Sequence, residues 1–268
     1  MIPGHNDNED QRFMRRFRSI EIRQEGGAAT VFQAKCKRTS KPCAVKVVKL
    51  HNSLDRKRFA AEVKAATTLS HCKNIVTTKL HHTTRSTGFL VMKLKRYELL
   101  ERLSDYQTED TVRAIFRQIA KGISSCHSMK IAHLDIKPEN VLVSSRGKAY
   151  ICDFGSAHMF DEPIEAPFGT STYRAPESYQ SWDFDKAAAD IWSMGVLLYI
   201  ILTGVYPFDG ETREEVIESI KFGRIDLGEL DDMNCSCSAR DLLLQMLQVD
   251  PKKRPSIGQV LEHPFLCK

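Results

Sequence analysis

The sequence lacks the features that would tie it to a membrane, a secretory route or a metal scaffold. Its longest apolar run, residues 196–202, falls far short of the roughly 20 residues needed to cross a bilayer. Met1-Ile2-Pro3-Gly4 carries neither the apolar core of a signal peptide nor a second-position glycine for myristoylation. Cys267 is next to last, so a prenylation box is not expected. The eight cysteines follow no framework spacing, Cys235-Ser236-Cys237 is too tight for a usual zinc pair, and HExxH is absent. Reduced thiols and a cytoplasmic or nuclear setting are expected. No repeat or low-complexity stretch occurs. The net charge of +5 is mild and its cations look spread along the chain, which argues against nucleic-acid and membrane partners. A monomer is expected. What remains, 42% hydrophobic and 27% charged over 268 residues, is enough for one large domain or two packed lobes.

Residues 1–16 are polar and then basic (Arg12, Arg15, Arg16) with no apolar period, and read as a short flexible extension. From Phe17 to about Lys93 the pattern is strand-like: Ser19-Ile20-Glu21-Ile22 alternates, Thr30-Val31-Phe32 follows a glycine turn, and Cys43-Ala44-Val45-Lys46-Val47-Val48 is rich in β-branched residues. One helix interrupts it. Asn52 or Ser53 can cap its start, and Phe59, Val63, Ala66 and Leu69 recur on one face. Strand signals return at Asn74-Ile75-Val76 and Gly88-Phe89-Leu90-Val91-Met92. After about Glu98 helices dominate. Thr108 caps one whose stripe runs Val112, Ile115, Phe116, Ile119 and Ile123; residues 189–202 are apolar nearly all round; shorter helices fit 212–221, 238–247 and 256–261. A strand-rich third joined to a helical remainder is an α+β, two-lobe plan with a ligand expected in the cleft between lobes.

The chemistry concentrates in His133-Leu134-Asp135-Ile136-Lys137-Pro138-Glu139-Asn140 and in Asp153-Phe154-Gly155, which begins thirteen residues after Asn140. A carboxylate and a carboxamide (Asp153, Asn140) suit Mg²⁺, Asp135 is a candidate base, and Lys137 can pair with a phosphoryl group. This resembles the catalytic loop and metal-binding turn of eukaryotic protein kinases, and Lys137 is the variant of the serine/threonine kinases. The resemblance runs from about Ile20 to Phe265.

The resemblance implies a bilobal kinase-like fold, with a β-rich N-lobe holding one helix at 17–93, a hinge at 94–97 and a mainly helical C-lobe at 98–268. It implies that Asp135 is the base or the group orienting the substrate hydroxyl, that Lys137 neutralises the transferring phosphoryl, and that Thr170 hydrogen-bonds this pair. ATP is the implied co-substrate, with two Mg²⁺ ions on Asn140 and Asp153. Taken alone, Lys46 reads as a solvated strand lysine; with the downstream motifs it becomes the phosphate lysine held by Glu62, the lone acid near the centre of its helix. Val31, Ala44 and Leu142 fall where kinases sandwich adenine, Met92 at the gatekeeper position, and the backbone of Lys93 and Lys95 at the adenine edge. Ala175-Pro176-Glu177, Arg254 and Asp190-Ile191-Trp192-Ser193-Met194-Gly195 match structural anchors. Within kinases the pattern is nearest the calmodulin-dependent group, through the stretches 204–212 and 249–255. That group often prefers an upstream arginine in its substrates, so Glu98 and Glu139 are candidate acids for a basic residue before the acceptor Ser or Thr, while Ile200 replaces a further acid.

Three departures stand out. The glycine-rich loop is eroded: its three glycine positions hold Gln24, Gly26 and Ala29, and its aromatic tip is Ala28. Gly26 and Gly27 retain the centre, so weakened nucleotide binding is expected, a side chain forced into left-handed φ costing about 1–2 kcal/mol. Leu134 stands where the arginine that receives an activation-loop phosphate is usual. Between Ser156 and Thr170 there is no hydroxyl side chain, and the usual phosphoacceptor position is Ala166. A serine/threonine kinase that is not switched by loop phosphorylation is the expectation, with no autoinhibitory tail after His263-Pro264-Phe265. A pseudokinase-like scaffold is the alternative, favoured by the eroded loop and by Ala66 on the positioning helix. Cys152, just before Asp153, reads as a small core residue rather than a reactive thiol.

Overall fold

β-Branched and aromatic residues of the first third pair as a five-stranded antiparallel sheet: β1 (Phe17–Glu25), β2 (Ala29–Cys36), β3 (Pro42–Lys49), β4 (Thr78–Thr83) and β5 (Thr87–Lys93), in the order β1-β2-β3-β5-β4. The structure is a computed structural model that describes residues 8–26, 29–106, 108–165, 168–233 and 235–267. The chain divides into two compact units. The first runs to His71 and takes in Val76–Lys95; the second holds Cys72–Ile75 and the described chain from Arg96 onward.

In the first unit, period-two alternation sorts the side chains onto two faces. One face buries Phe32, Ala34, Cys43, Val45, Val47, Phe89 and Val91. Helix α1 (Asn8–Met14) covers it, adding Phe13 and Met14 to that core beside Phe17. Phe13 packs 4.6 Å from the Phe89 ring and stacks on His82 at 4.7 Å. Buried Asp10 ties the helix down by accepting from the Thr84 (2.7 Å) and Thr87 (2.6 Å) hydroxyls. Residues 8–14 are therefore not the flexible extension expected from sequence. A two-turn helix is marginal by itself and shows no period; the sheet face it covers supplies its stability.

The other face carries the chemistry. Residues directly opposite in an antiparallel pair share a face, and Val31 lies opposite Lys46 while Ala44 lies opposite Met92. Helix α2 (Ser53–Thr68) packs here, its Phe59 so close to Gly88 that a Cβ at Gly88 would sit 2.6 Å from the ring. Asn52 caps α2 in a capping box with Asp55, and the buried stripe includes Phe59, Glu62, Ala66 and Leu69, with Val63 only partly covered.

The second unit contains short strands β6 (Tyr97–Glu98), β7 (Ile131–Ala132), β8 (Val141–Val143), β9 (Ala149–Ile151) and β10 (His158–Met159), paired as β6-β8-β9 and β10-β7. Its helices are α3 (Glu109–Ser128), α4 (Lys186–Thr203), α5 (Arg213–Phe222), α6 (Gly228–Asp232), α7 (Cys237–Met246), α8 (Ile257–Glu262) and α9 (Pro264–Cys267). Thr108, Thr212 and Ser256 cap α3, α5 and α8 with capping boxes, and Ser236 caps α7. α4 is long and apolar enough by composition to cross a membrane, yet every residue from Ala188 to Leu202 is buried inside this unit, which accounts for its apolarity. The expected strand at Asn74-Ile75-Val76 is absent. Asn74 takes a positive φ of 63°, its Nδ2 donates to the Ala149 carbonyl, and its own carbonyl accepts from the Ile151 N–H. Only an isolated bridge, Ile75 to Ile151, remains.

Candidate active site

In the first unit Lys46 Nζ donates to Glu62 Oε1 at 2.6 Å, with both residues buried. The pair joins β3 to the middle of α2, so helix packing by Phe59 and Leu69 fixes where the ammonium points. A buried ion pair is retained only where its geometry is good, and loss of one partner strands the other charge. Lys93 donates its N–H to the Thr77 carbonyl at 2.9 Å. Lys95 is also buried, and burial, then the neighbouring Lys93 charge, push its ammonium down to about 8. Gly26 donates its N–H to the Ala29 carbonyl at 2.9 Å, closing the turn between β1 and β2. Its φ lies outside the left-handed region, and a Cβ there would rest at ordinary contact, 3.4 Å from the Ala29 oxygen. The requirement for a positive φ at Gly26 is thus not met. Gly27, Ala28 and Ala166 lie outside the described residues.

In the second unit Asp190, fully buried on α4, organises the loop that follows β7. It accepts the His133 and Leu134 backbone N–H groups at 2.8 Å each and His127 Nε2 at 2.9 Å. These bonds hold Leu134 at φ 60°, a left-handed conformation costly for a branched residue. His133 Nε2 lies 3.0 Å from the Cys152 carbonyl, while its Nδ1 accepts the Asp135 N–H at 3.3 Å. The ring thereby links the loop to the Asp153 turn.

Four polar side chains converge within that frame. Lys137 Nζ donates to Thr170 Oγ1 at 2.7 Å, and Thr170 Oγ1 donates to Asp135 Oδ1 at 2.8 Å. Asn140 Nδ2 donates to both Asp135 Oδ2 (2.9 Å) and the Asp135 carbonyl (2.8 Å), and Lys137 Nζ lies 3.2 Å from Asp135 Oδ2. Thr170 reaches the carboxylate because Gly169 turns at φ 61° directly against the loop: a Cβ there would fall 2.3 Å from the Leu134 carbonyl oxygen. The Gly169 N–H donates to Ser156 Oγ, just past the Asp153 turn.

Asp153 also has a positive φ, 59°, and its Oδ1 accepts the Gly155 N–H at 3.1 Å. With Nδ2 of Asn140 committed to Asp135, the amide oxygen is the Asn140 atom suited to a cation. A carboxylate and an amide oxygen are hard donors. Among the described residues no cluster of three or more His, Cys, Asp or Glu forms a metal cage. That donor set fits Mg²⁺, which keeps waters and substrate phosphates in its coordination sphere, rather than zinc. The Cys152 thiol donates to the Asn140 carbonyl at 3.3 Å, a packed structural role.

Leu134 is buried and brings no charge to the segment between Asp153 and Glu177. Arg174 organises that segment instead. Its guanidinium carbon lies 4.6 Å from the Phe168 ring centroid and 4.7 Å from that of Tyr179, while Nη2 donates to the Ser178 carbonyl at 2.7 Å. Phe168 stacks in turn on Phe184 at 5.7 Å and meets Trp182 edge-on at 6.3 Å. The Glu177–Arg254 pair is bidentate, 2.7 Å for each bond, and buried Arg254 also donates to the Ala188, Gln248 and Val249 carbonyls. Sequence reading missed His127, the Phe168–Arg174–Tyr179 stack and the 3.0 Å hydroxyl contact of Tyr173 with Tyr206.

Leu142 pairs with Glu98 across β6 and β8 and is partly covered. Oε2 of Glu139 is buried without a hydrogen-bond partner among the described residues. An unpartnered carboxylate oxygen is costly unless a donor arrives. The nearby Tyr173 phenol is pushed up first by burial and next by its Tyr206 bond, with Glu139 and Asp135 adding to the effect, so it stays neutral.

The protein kinase domain family matches residues 21–266, and the chain belongs to that family. It is 37% identical over 227 residues to calcium-dependent protein kinase 19 of Arabidopsis thaliana, covering 81% of this chain and 41% of that one. It is 30% identical over 254 residues to sperm motility kinase 3A of Mus musculus, covering 93% and 49%. A calcium and calcium/calmodulin-dependent serine/threonine-protein kinase of Oryza sativa subsp. japonica is 38% identical over 176 residues, covering 63% and 34%. The calcium-dependent and calcium/calmodulin-dependent names agree with the group resemblance read from the sequence. A crystal structure of Rad53 1-466 in complex with AMP-PNP aligns with a TM-score of 0.81 at 32% identity, covering 95% of this chain and 66% of that one. The kinase fold expected from sequence is the observed one. The chain spans about half the length, or less, of the curated relatives it matches.

Proposed function

We propose that this domain is a serine/threonine protein kinase that transfers the γ-phosphoryl group of ATP to protein hydroxyls. The observation that carries the reading is the Asp135–Thr170–Lys137–Asn140 network, in which four side chains of complementary chemistry are joined by hydrogen bonds and an ion pair. In the step proposed, a substrate Ser or Thr oxygen bonds to the γ-phosphorus, the bond to the bridging β–γ oxygen breaks, ADP leaves, and Asp135 accepts the hydroxyl proton. Lys137 offsets charge on the transferring group, and Thr170 keeps Asp135 and Lys137 in register. Lys46, oriented by Glu62, pairs with nucleotide phosphates; Val31, Ala44, Met92 and Leu142 supply apolar surface for the base, and the backbone of Lys93 and Lys95 its polar edge. Asn140 and Asp153 would hold Mg²⁺, which when bound supplies charge neutralisation at the phosphate oxygens. The AMP-PNP in the Rad53 structure supports a nucleotide as co-substrate here. Oε2 of Glu139, buried without a hydrogen-bond partner among the described residues, favours, together with Glu98, substrates carrying a basic residue before the acceptor.

Activity is proposed not to depend on activation-segment phosphorylation. Leu134 offers nothing to a phosphate, and the Arg174 stack holds the segment next to Thr170 by packing. The test is phosphate transfer from Mg-ATP to Ser- and Thr-containing peptides by wild type and Asp135→Asn. Transfer lost in the variant supports the reading. Absence of both transfer and ATP binding in wild type would favour a scaffold built on the kinase fold.

A further inference from the structure

The cations that look dispersed along the sequence gather at one end of the first unit. No acidic residue occurs from Gln11 to Ile20 or between Glu25 and Asp55. Pairing of β1 with β2 sets Arg18 opposite Lys35, and the Lys37 N–H donates to the Arg16 carbonyl at 2.9 Å. The turn leading into β3 adds Arg38 and Lys41 and is closed by Ser40 N–H to the Cys36 carbonyl, at 2.8 Å. Arg18 Nη2 reaches the Ser40 hydroxyl at 3.2 Å. Arg16, Arg18, Lys35, Lys37, Arg38 and Lys41 are all exposed, and among the described residues none of the six forms a salt bridge with a carboxylate. A one-signed cluster without carboxylate partners among the described residues produces a potential that draws in anions.

The surface beside this cluster is an open strand. β1 is an edge of the sheet, and among the described residues no other strand pairs with its outer side. It also exposes Ile20 (38%) and Ile22 (51%). Register shifts between Arg18 and Glu21 and between Ile22 and Gln24, with Ser19 at a φ of 50°, break this edge into short stretches, whose unpaired backbone donors and acceptors a polypeptide can satisfy and a lipid headgroup or a nucleic-acid backbone cannot. We propose that the β1 edge and its basic end form a docking surface for an extended acidic polypeptide segment of a partner protein, which adds as a strand with apolar residues over Ile20 and Ile22 and carboxylates over the cations.

The experiment uses fluorescence anisotropy with a fluorescein-labelled decapeptide of alternating glutamate and valine. A second peptide of the same sequence is N-methylated at alternate residues, so it keeps its charge but cannot form a ladder. Phosphatidylserine vesicles and a ten-nucleotide single-stranded DNA complete the series. The expected result is binding of the first peptide at least tenfold tighter than of the N-methylated one or of DNA, with weaker vesicle binding. The exposed-turn double substitution Lys37→Glu/Arg38→Glu should weaken it tenfold or more at unchanged melting temperature, whereas Lys252→Glu/Lys253→Glu in the second unit should leave it unchanged. Equal binding of both peptides, tighter binding of DNA or vesicles, or no binding of the first peptide would overturn the proposal. None of these readouts depends on phosphate transfer.

Discussion

The Arg174 guanidinium lies over the Phe168 ring, 4.6 Å from its centroid, two residues from the Thr170 hydroxyl that donates to Asp135. Cation–π contacts of this kind contribute on the order of 0.5–2 kcal/mol each. These contacts pack the segment beside Thr170. Phe168→Ala should therefore lower kcat about tenfold with little change in KM for ATP, and Phe168→Tyr should restore it. Steady-state kinetics of the two variants check this; a KM change alone would assign Phe168 to nucleotide binding instead.

Gly169 tests the same contact by geometry. Its φ of 61° and the 2.3 Å approach of any Cβ to the Leu134 carbonyl leave no room for a side chain. Gly169→Ala must push Thr170 away from Asp135, and displacement of about 1 Å at a reacting centre can cost about 100-fold in rate. A kcat decrease of tenfold or more is expected while the melting temperature falls by a few degrees at most.

Helix α1 is part of the first unit's core. Phe13→Ala should destabilise that unit by about 3–5 kcal/mol, the range for truncating a buried phenylalanine. Asp10→Ala, which removes the acceptor of two buried threonine hydroxyls, should cost about 1–3 kcal/mol. Urea unfolding measures both. Changes within about 0.5 kcal/mol would return residues 8–14 to the status of an unpacked extension.

Lys95 gives a pH signature. Its folded-state value of about 8 lies below the ordinary 10.5, so between those values the unfolded chain binds a proton that the folded one does not. Stability from this group therefore rises as pH increases from about 8 toward 10.5, and the penalty for the buried charge is fully present below 8. Lys95→Met should raise the melting temperature at pH 7 and remove that rise. A variant with an unchanged pH profile would contradict the assignment.

How much of this was legible in the sequence follows from the range of each interaction. Asp135, Lys137, Asn140 and Asp153 stand at the spacing of the kinase catalytic motifs, and Glu62, the lone acid near the centre of its helix, stands at the family's spacing from them, so each could be named beforehand. Thr170 was reachable because Gly169 and Thr170 keep a recognisable pair. Helix α1 escaped because its stability comes from a sheet face built later in the chain. The strand expected at Asn74 failed because its backbone bonds go to Ala149 and Ile151, some 75 residues away, through a positive φ that no local pattern announces. The Phe168–Arg174–Tyr179 stack and the His127–Asp190 bond depend on side-chain placement rather than on spacing. Gly26 shows the opposite error: residue type suggested a special φ that the turn does not use.

The most direct measurement is the rate of phosphate transfer from Mg-ATP to an arginine-containing Ser/Thr peptide by protein treated exhaustively with phosphatase, beside Asp135→Asn. The geometry predicts that the treated wild-type protein keeps its full rate and that the variant loses at least a hundredfold. Activity abolished by phosphatase and restored by a phosphate within residues 156–172 would contradict a catalytic network held in place by packing alone.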